Sequence, residues 1–240
     1  DTKNALQRQK VIYQTEKMEH DYKLKLVKSE MDTLRAQMNP HFIFNSLNSI
    51  NKYILKNESD EASDYLVKFS QLIRTVLDNA RSETVSLSEE LKTLQLYIQI
   101  EALRFGDKLK YEFDLQEESL LHDLNLPPLL LQPFVENAIW HGLMHKDSDR
   151  QLLIEFTEKG DWLTCVVEDN GIGRKKAQEV KGITVNGSKH QSKGISVSTE
   201  RLKAMKGSNG DYGTINFKDL HKNDGTAAGT RIEIHFPILN

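Results

Sequence analysis

Cysteine is almost absent from the 240-residue chain, which holds only Cys165. One thiol excludes an intramolecular disulfide and any cysteine-rich metal centre, and it fits a reducing compartment. Long apolar runs are also missing, and none approaches the ~18–20 residues that span a bilayer. The sequence starts at Asp1 on a charged, helix-prone stretch with no signal peptide. The expectation is a cytoplasmic fragment whose upstream sensor or membrane region is missing. Charge of one sign is lacking too, since 32 basic and 35 acidic residues leave a net charge of -3. A charge so small and mixed argues against direct binding of nucleic acid or of an anionic membrane.

Helix breakers are scarce in the first half. Residues 1–108 contain one proline and one glycine, Pro40 and Gly106. Leu24, Val27, Met31, Leu34 and Met38 step by three and four, as a coiled-coil seam requires. Ile43, Leu47, Ile50 and Ile54 continue the pattern out of register, and Pro40 stands between the two registers, where its ring and missing N–H bend a helix. Asn57 to Asp60 read as a turn. Leu66, Phe69, Ile73, Val76 and Ala80 form a second stripe, and Leu87, Leu91, Leu94 and Ile98 a third. Ser86 or Ser88 is the expected N-cap, with Glu89 and Glu90 near the positive end of the helix dipole. One hairpin cannot bury so many apolar faces, whereas two hairpins forming a four-helix bundle can, so a homodimer is expected.

The second half changes character. Tyr111, Phe113 and Leu115 alternate as in a strand, and Pro127-Pro128 precede an expected helix from Leu129 to Met144. Residues 152–156 and 163–167 read as neighbouring strands turning at Gly160-Asp161. A polar stretch, Gly182 to Lys193, precedes a short helix near Ser198 to Lys206 and two last strands, Ile215–Lys218 and Arg231–Phe236. The expected organisation is multi-domain: an all-α hairpin over 1–108, then an α+β domain with a mostly antiparallel sheet over 109–240.

Three clusters in the second domain carry chemistry. Gln132 to Gly142 contain Glu136-Asn137 and His141-Gly142 on a helix. Asp169-Asn170-Gly171-Ile172-Gly173 directly follow a strand. Gly229-Thr230 open the last strand, with Gly194 ahead of the Ser198 helix. An aspartate at a strand end can accept the exocyclic amine of adenine, with glycines letting the backbone approach the base. Asn137 can offer a carbonyl oxygen to Mg²⁺, a hard ligand of the kind that ion takes beside phosphates and waters. The polar 182–193 segment suits a lid. Each piece alone is a weak signal, since Asp-Asn-Gly is usually just a turn.

In the helical half, Gln37, His41, Asn45, Asn48 and Lys52 share one polar helix face. His41 is therefore expected to be exposed, as a group that must be reached by a second domain needs to be. A neutral imidazole is a good nucleophile near pH 7. Asn45, one turn further on, has an amide that can orient a water without acting as a strong base.

Taken together, Glu-Asn-Ala-x-x-His-Gly followed by Asp-x-Gly-x-Gly resembles the nucleotide-binding domain shared by gyrase, Hsp90 chaperones, MutL and histidine kinases, the GHKL type. Leu34-Arg35-Ala36-Gln37-Met38-Asn39-Pro40-His41-Phe42-Ile43-Phe44-Asn45 resembles the phosphoacceptor segment of LytS-like sensor histidine kinases. Tyr97-Ile98-Gln99-Ile100-Glu101-Ala102-Leu103-Arg104-Phe105 is similar to the end of their second long helix. The resemblance covers about residues 30–239. It implies autophosphorylation of His41 from ATP and transfer to an aspartate on a response regulator receiver domain, usually one with a LytTR-type DNA-binding domain. It further implies Asp169 on adenine, Asn137 on Mg²⁺ and His141 near the phosphates. Gly171, Gly173, Gly194, Gly229 and Thr230 would shape the pocket and lid, and Asn45 would serve the dephosphorylation of the regulator.

The sequence also departs from the pattern. Superfamily members that hydrolyse ATP carry a water-activating glutamate four residues before the asparagine, where this chain has Pro133. A gyrase- or Hsp90-like ATPase is thereby disfavoured. Similar kinases usually show Gly-x-Gly-Ile-Gly-Leu before the last helix, where this chain reads Gln191-Ser192-Lys193-Gly194-Ile195-Ser196-Val197. A signalling scaffold that binds a regulator without phosphotransfer is the alternative consistent with that lid. Phe42 occupies the place of the acidic residue that often follows the histidine. Glu136, about 100° around the helix from Asn137, is the candidate base.

Overall fold

The computed structural model describes residues 40–105, 108–115, 124–147, 149–180, 193–207 and 210–238. The coiled-coil seam before Pro40 and nearly all of the expected lid lie outside the described residues. The chain divides into two compact units, residues 1–48 and 49–240. Of the first, the described part is the start of helix α1, Pro40–Leu55. Here Phe42 and Ser46 are buried, while Phe44 and Leu47 are exposed.

The second unit opens with the end of α1 and a tight turn in which Asn57 takes a left-handed φ of 61°. Helix α2, Ser59–Asn79, follows. Its inward stripe is Ala62, Tyr65, Leu72, Val76 and Asn79. Of the expected stripe, Val76 is buried, Phe69, Ile73 and Ala80 are half-buried and Leu66 is exposed, so the inward face lies about one position round. In α1, likewise, Ile50 is buried while Ile54 and Leu55 are exposed. Both helices therefore carry two apolar faces, and sequence spacing alone cannot rank them.

Strand β1, Val85–Ser86, runs into helix α3, Leu87–Phe105. A capping box starts the helix: the Ser86 hydroxyl accepts from the Glu89 N–H at 3.2 Å, and Glu89 Oε2 accepts from the Ser86 N–H at 3.0 Å. The expected stripe of Leu87, Leu91, Leu94 and Ile98 is buried throughout.

A five-stranded sheet follows, ordered β2-β4-β5-β7-β6: β2 Leu109–Leu115, β4 Arg150–Lys159, β5 Trp162–Asp169, β6 Thr214–His221 and β7 Ala227–Pro237. Only β2 and β4 pair in parallel. The helices on its inner face are α4, Gln132–Asn137, continued by a π-helix, Ala138–Leu143, then α5, Arg174–Val180, and α6, Lys193–Ala204. Rows of matched residues line that face, Ile154 beside Val167 and Ile232, and Phe156 beside Cys165 and Ile234. The architecture is the expected helical hairpin followed by an α+β sandwich.

One side chain ties the helices to the segment that follows β2. Strand β3, Asn125–Leu126, pairs with β1 and brings the loop at 127–131 over α3. There Glu90, 1% exposed, accepts backbone hydrogen bonds from Leu129 at 2.8 Å and Leu131 at 2.9 Å. Leu129 has a φ of 56°, a conformation that leucine holds only when its surroundings over-determine it. The same carboxylate thus joins α3 to the loop that leads into α4. Glutamine at position 90 could accept from only one of the two N–H groups and would turn its own amide at the other. Glu90→Gln is expected to lower the unfolding free energy by about 1–3 kcal/mol. Urea melts at pH 8 check this, and an unmoved midpoint would contradict it.

Candidate functional site

The inward residues of β5 are Leu163, Cys165, Val167 and Asp169, so strand alternation alone delivers a carboxylate to the end of an apolar row. Asp169 is 3% exposed and stands in register between Leu152 and Thr230. Burial pushes its carboxyl up to about 7, opposed by backbone hydrogen bonds from Gly171 and Thr230. The Gly171 N–H donates to Oδ1 at 2.8 Å. A carboxylate held this way keeps its remaining acceptor positions for an incoming N–H donor.

Three backbones close on it. A Cβ on Gly229, whose φ is 138°, would stand 1.9 Å from the Asp169 carbonyl oxygen. A Cβ on Gly142 would stand 2.5 Å from Asp169 Oδ1, and one on Gly171 would stand 2.3 Å from the Gly142 carbonyl carbon. Each spacing is shorter than any side chain tolerates, so glycine is required at all three positions. The Ile172 N–H also donates to the Gly142 carbonyl at 3.2 Å, which joins the end of the π-helix to the turn after β5. Around the rim, the Lys146 ammonium donates to the carbonyls of Asp149 and Asn170 at 2.8 and 3.0 Å.

Asp169, Gly171, Gly229 and Thr230 are thus brought together, and a Cβ added to Gly173 would stand 3.0 Å from the Ala227 Cβ. Gly142 was not among the expected site residues, although it closes the His-Gly pair. Two expectations need correction. The helix expected over Leu129–Met144 starts at Gln132, because the left-handed Leu129 precedes it, and it widens to a π-helix from Ala138. Gly194 does not stand ahead of the last helix but inside its first turn, where an added Cβ would meet the Pro133 Cβ at 3.3 Å. Burial raises the pKa values of Tyr97 and Glu101 on α3, and the charge of Glu136 on α4 adds to both shifts.

Asn137 ends α4 and His141 lies within the π-helix, and both are half-buried. One amide oxygen is the donor Asn137 can offer. Among the described residues no group of three His, Cys, Asp or Glu could hold a metal ion. A divalent cation here would draw most of its ligands from phosphates and water, which is the habit of Mg²⁺, so the residues fit that ion bound together with a nucleotide. In the other unit, His41 is the second residue of α1, with its side chain outside the described residues, and Asn45 is half-buried rather than exposed. Among the described residues no helix is long and apolar enough to cross a membrane.

The chain is similar to known histidine kinases. The family model described as Histidine kinase matches residues 29–109. The sensor protein LytS of Staphylococcus haemolyticus is 32% identical over 216 residues, 89% of this chain and 35% of that protein. The LytS of Oceanobacillus iheyensis is 37% identical over 148 residues, 62% of this chain and 25% of that protein. Among solved structures, the histidine kinase domain of a blue-light activated kinase from Erythrobacter litoralis aligns with a TM-score of 0.47 at 12% identity, covering 91% of this chain and 94% of that one. The chain therefore carries a histidine kinase domain. Within that class it is LytS-like, and it spans about a third or less of the length of the curated relatives it matches.

Proposed function

We propose that this chain is the catalytic core of a two-component sensor histidine kinase, with ATP as substrate and His41 as acceptor. The observation that carries the reading is the buried Asp169 carboxyl at the end of an apolar row, held by the Gly171 N–H and approached by the backbones of Gly142, Gly171 and Gly229, an acceptor suited to the exocyclic amine of adenine. Asn137, Thr230, His141, Gly173 and Gly194 complete the nucleotide site. Mg²⁺ on the Asn137 oxygen would neutralise charge developing on the phosphates.

In the reaction, an imidazole nitrogen of His41 attacks the γ-phosphorus. The bond from that phosphorus to the β–γ bridging oxygen breaks, ADP leaves with the electron pair, and the imidazole proton passes to a base, for which Glu136 is the candidate. The phosphoryl group then moves to an aspartate of a receiver domain in a response regulator of the LytTR type, and Asn45 assists the later hydrolysis. Two chains pair through the hairpins. Phe44 at 67% exposure and Leu55 at 75% are apolar side chains that a second copy would cover. The helical part through residue 108 serves dimerisation and phosphate acceptance, and residues 109–240 bind ATP. In the whole protein this core stands on the cytoplasmic side of a membrane-anchored sensor.

Incubation with γ-labelled ATP tests the proposal, and acid-labile, base-stable label on the protein is the expected result. Acid-stable label would overturn it. So would no label at all, and a protein that still bound a regulator in that case would be a scaffold. Rapid release of inorganic phosphate without labelling would point to an ATPase, against the proline at position 133.

A further inference from the structure

The Tyr97–Phe105 segment is left unexplained by phosphoacceptor and pocket chemistry alone. Its last two residues grip the π-helix from outside. The Arg104 guanidinium stacks 4.4 Å above the Trp140 ring, in the middle of that helix. The same guanidinium donates to Glu101 Oε2 at 2.7 Å, and Glu101 is fully buried. Phe105 lies 4.9 Å beneath the Arg150 guanidinium, whose Nε donates to the carbonyl of Leu143, the final residue of the π-helix, at 2.9 Å. The backbone of the clamp is itself tied down, since the Tyr53 hydroxyl donates to the Leu103 carbonyl at 2.9 Å.

A π-helix is a poor local minimum. Its i→i+5 bonds, such as Met144 N–H to the Ile139 carbonyl at 2.8 Å, give weaker geometry than the α ladder, and such stretches persist where tertiary contacts impose them. A return to the α register would rotate every residue beyond Ala138 by one position. Trp140 would leave the Arg104 stack, Leu143 would lose its Arg150 partner, and His141 and Gly142 would move relative to Asp169. The clamp and the register therefore require each other.

We propose that Arg104 is a positioning residue: by stacking on Trp140 it holds the π register that presents His141 to the nucleotide phosphates. This rests on the reading of the pocket as an ATP site. It concerns the phosphate side first, because on the adenine side only Gly142 belongs to the π-helix, the rest being built from β5, β7 and the turn after β5. Arginine is needed for the role, since its planar guanidinium stacks and forks at once where the lysine ammonium is a point charge.

The experiment compares Arg104→Ala and Arg104→Lys with the parent chain for binding of adenosine, binding of Mg-ATP, and KM and kcat of self-labelling. Arg104→Lys guards against misfolding, because it retains a cation for Glu101. The expected result in both variants is a loss of about tenfold in Mg-ATP affinity, reflected in KM, with a clearly smaller loss for adenosine. A merely structural arginine would move both ligands equally, and that outcome overturns the inference. Unchanged Mg-ATP affinity in a folded Arg104→Lys protein overturns it as well. Failure of the parent itself to bind Mg-ATP would instead overturn the assignment of the pocket, so the two failures are told apart.

Discussion

Replacement of His41 by glutamine is expected to abolish acid-labile labelling from ATP while leaving nucleotide affinity as it is in the parent. The reasoning begins with chemistry. Imidazole is the side chain in that segment with a neutral, unshared nitrogen lone pair near pH 7, whereas the glutamine amide nitrogen has its pair delocalised into the carbonyl. The remaining surroundings offer no substitute: the next residue is Phe42, and the one-turn neighbour Asn45 is another amide. The expectation for nucleotide binding comes from the packing, because His41 belongs to the unit 1–48 and Asp169 to the unit 49–240. Glutamine also keeps the helix, being a good helix former of similar length. Autoradiography after acid and alkali treatment, with calorimetric ATP binding alongside, reads both halves. Label on the variant equal to that on the parent would show that the acceptor lies elsewhere. Loss of ATP binding together with label would show that the histidine serves the pocket rather than the transfer.

What the sequence disclosed, and what it withheld, follows from which physical signals are local. The glycines at 171 and 229 were legible only through the combined motif and its resemblance, since each alone reads as a turn, and their added-Cβ distances of 2.3 and 1.9 Å show the close approach. The capping of α3 was legible locally, since Ser86 and Glu89 satisfy each other across three positions. Apolar periodicity located α3 well but put the inner stripe of α2 one residue away, because Leu66 and Val67 belong to a second apolar face that stays exposed in a single chain. The π-helix carries no signature in residue types. Its register is imposed by Arg104, Phe105 and Arg150, which are near it only in the fold. Glu90 and Glu101 read as ordinary charged helix positions, yet burial raises both to about 7. Long-range burial of a charge is invisible until the partner that buries it is known.

Asp169→Ala is expected to weaken ATP binding by about 10- to 150-fold, the range of a lost hydrogen bond to a charged acceptor, roughly 1.5–3 kcal/mol. A second, independent signature separates this cause from general damage. The parent carboxyl is held at about 7 by burial. Above that pH the free protein presents a carboxylate, the better acceptor for the exocyclic amine. As the pH falls through 7 the free protein takes up a proton that nucleotide binding must release, so parent affinity should drop, approaching tenfold for each further pH unit. The alanine variant has no such proton to release, so the parent-to-variant ratio of affinities should shrink steadily from pH 8 to pH 6. Taking that ratio also cancels the titration of the nucleotide phosphates, which both proteins share. Alanine loses the acceptor for the Gly171 N–H as well, so Asp169→Asn serves as the control for the turn: its amide oxygen can still accept from Gly171, and it too has nothing to titrate. Calorimetry across this pH range decides the matter. A ratio that stays constant with pH would mean that the carboxylate is not what meets the base, and an unweakened alanine variant would remove Asp169 from the pocket altogether.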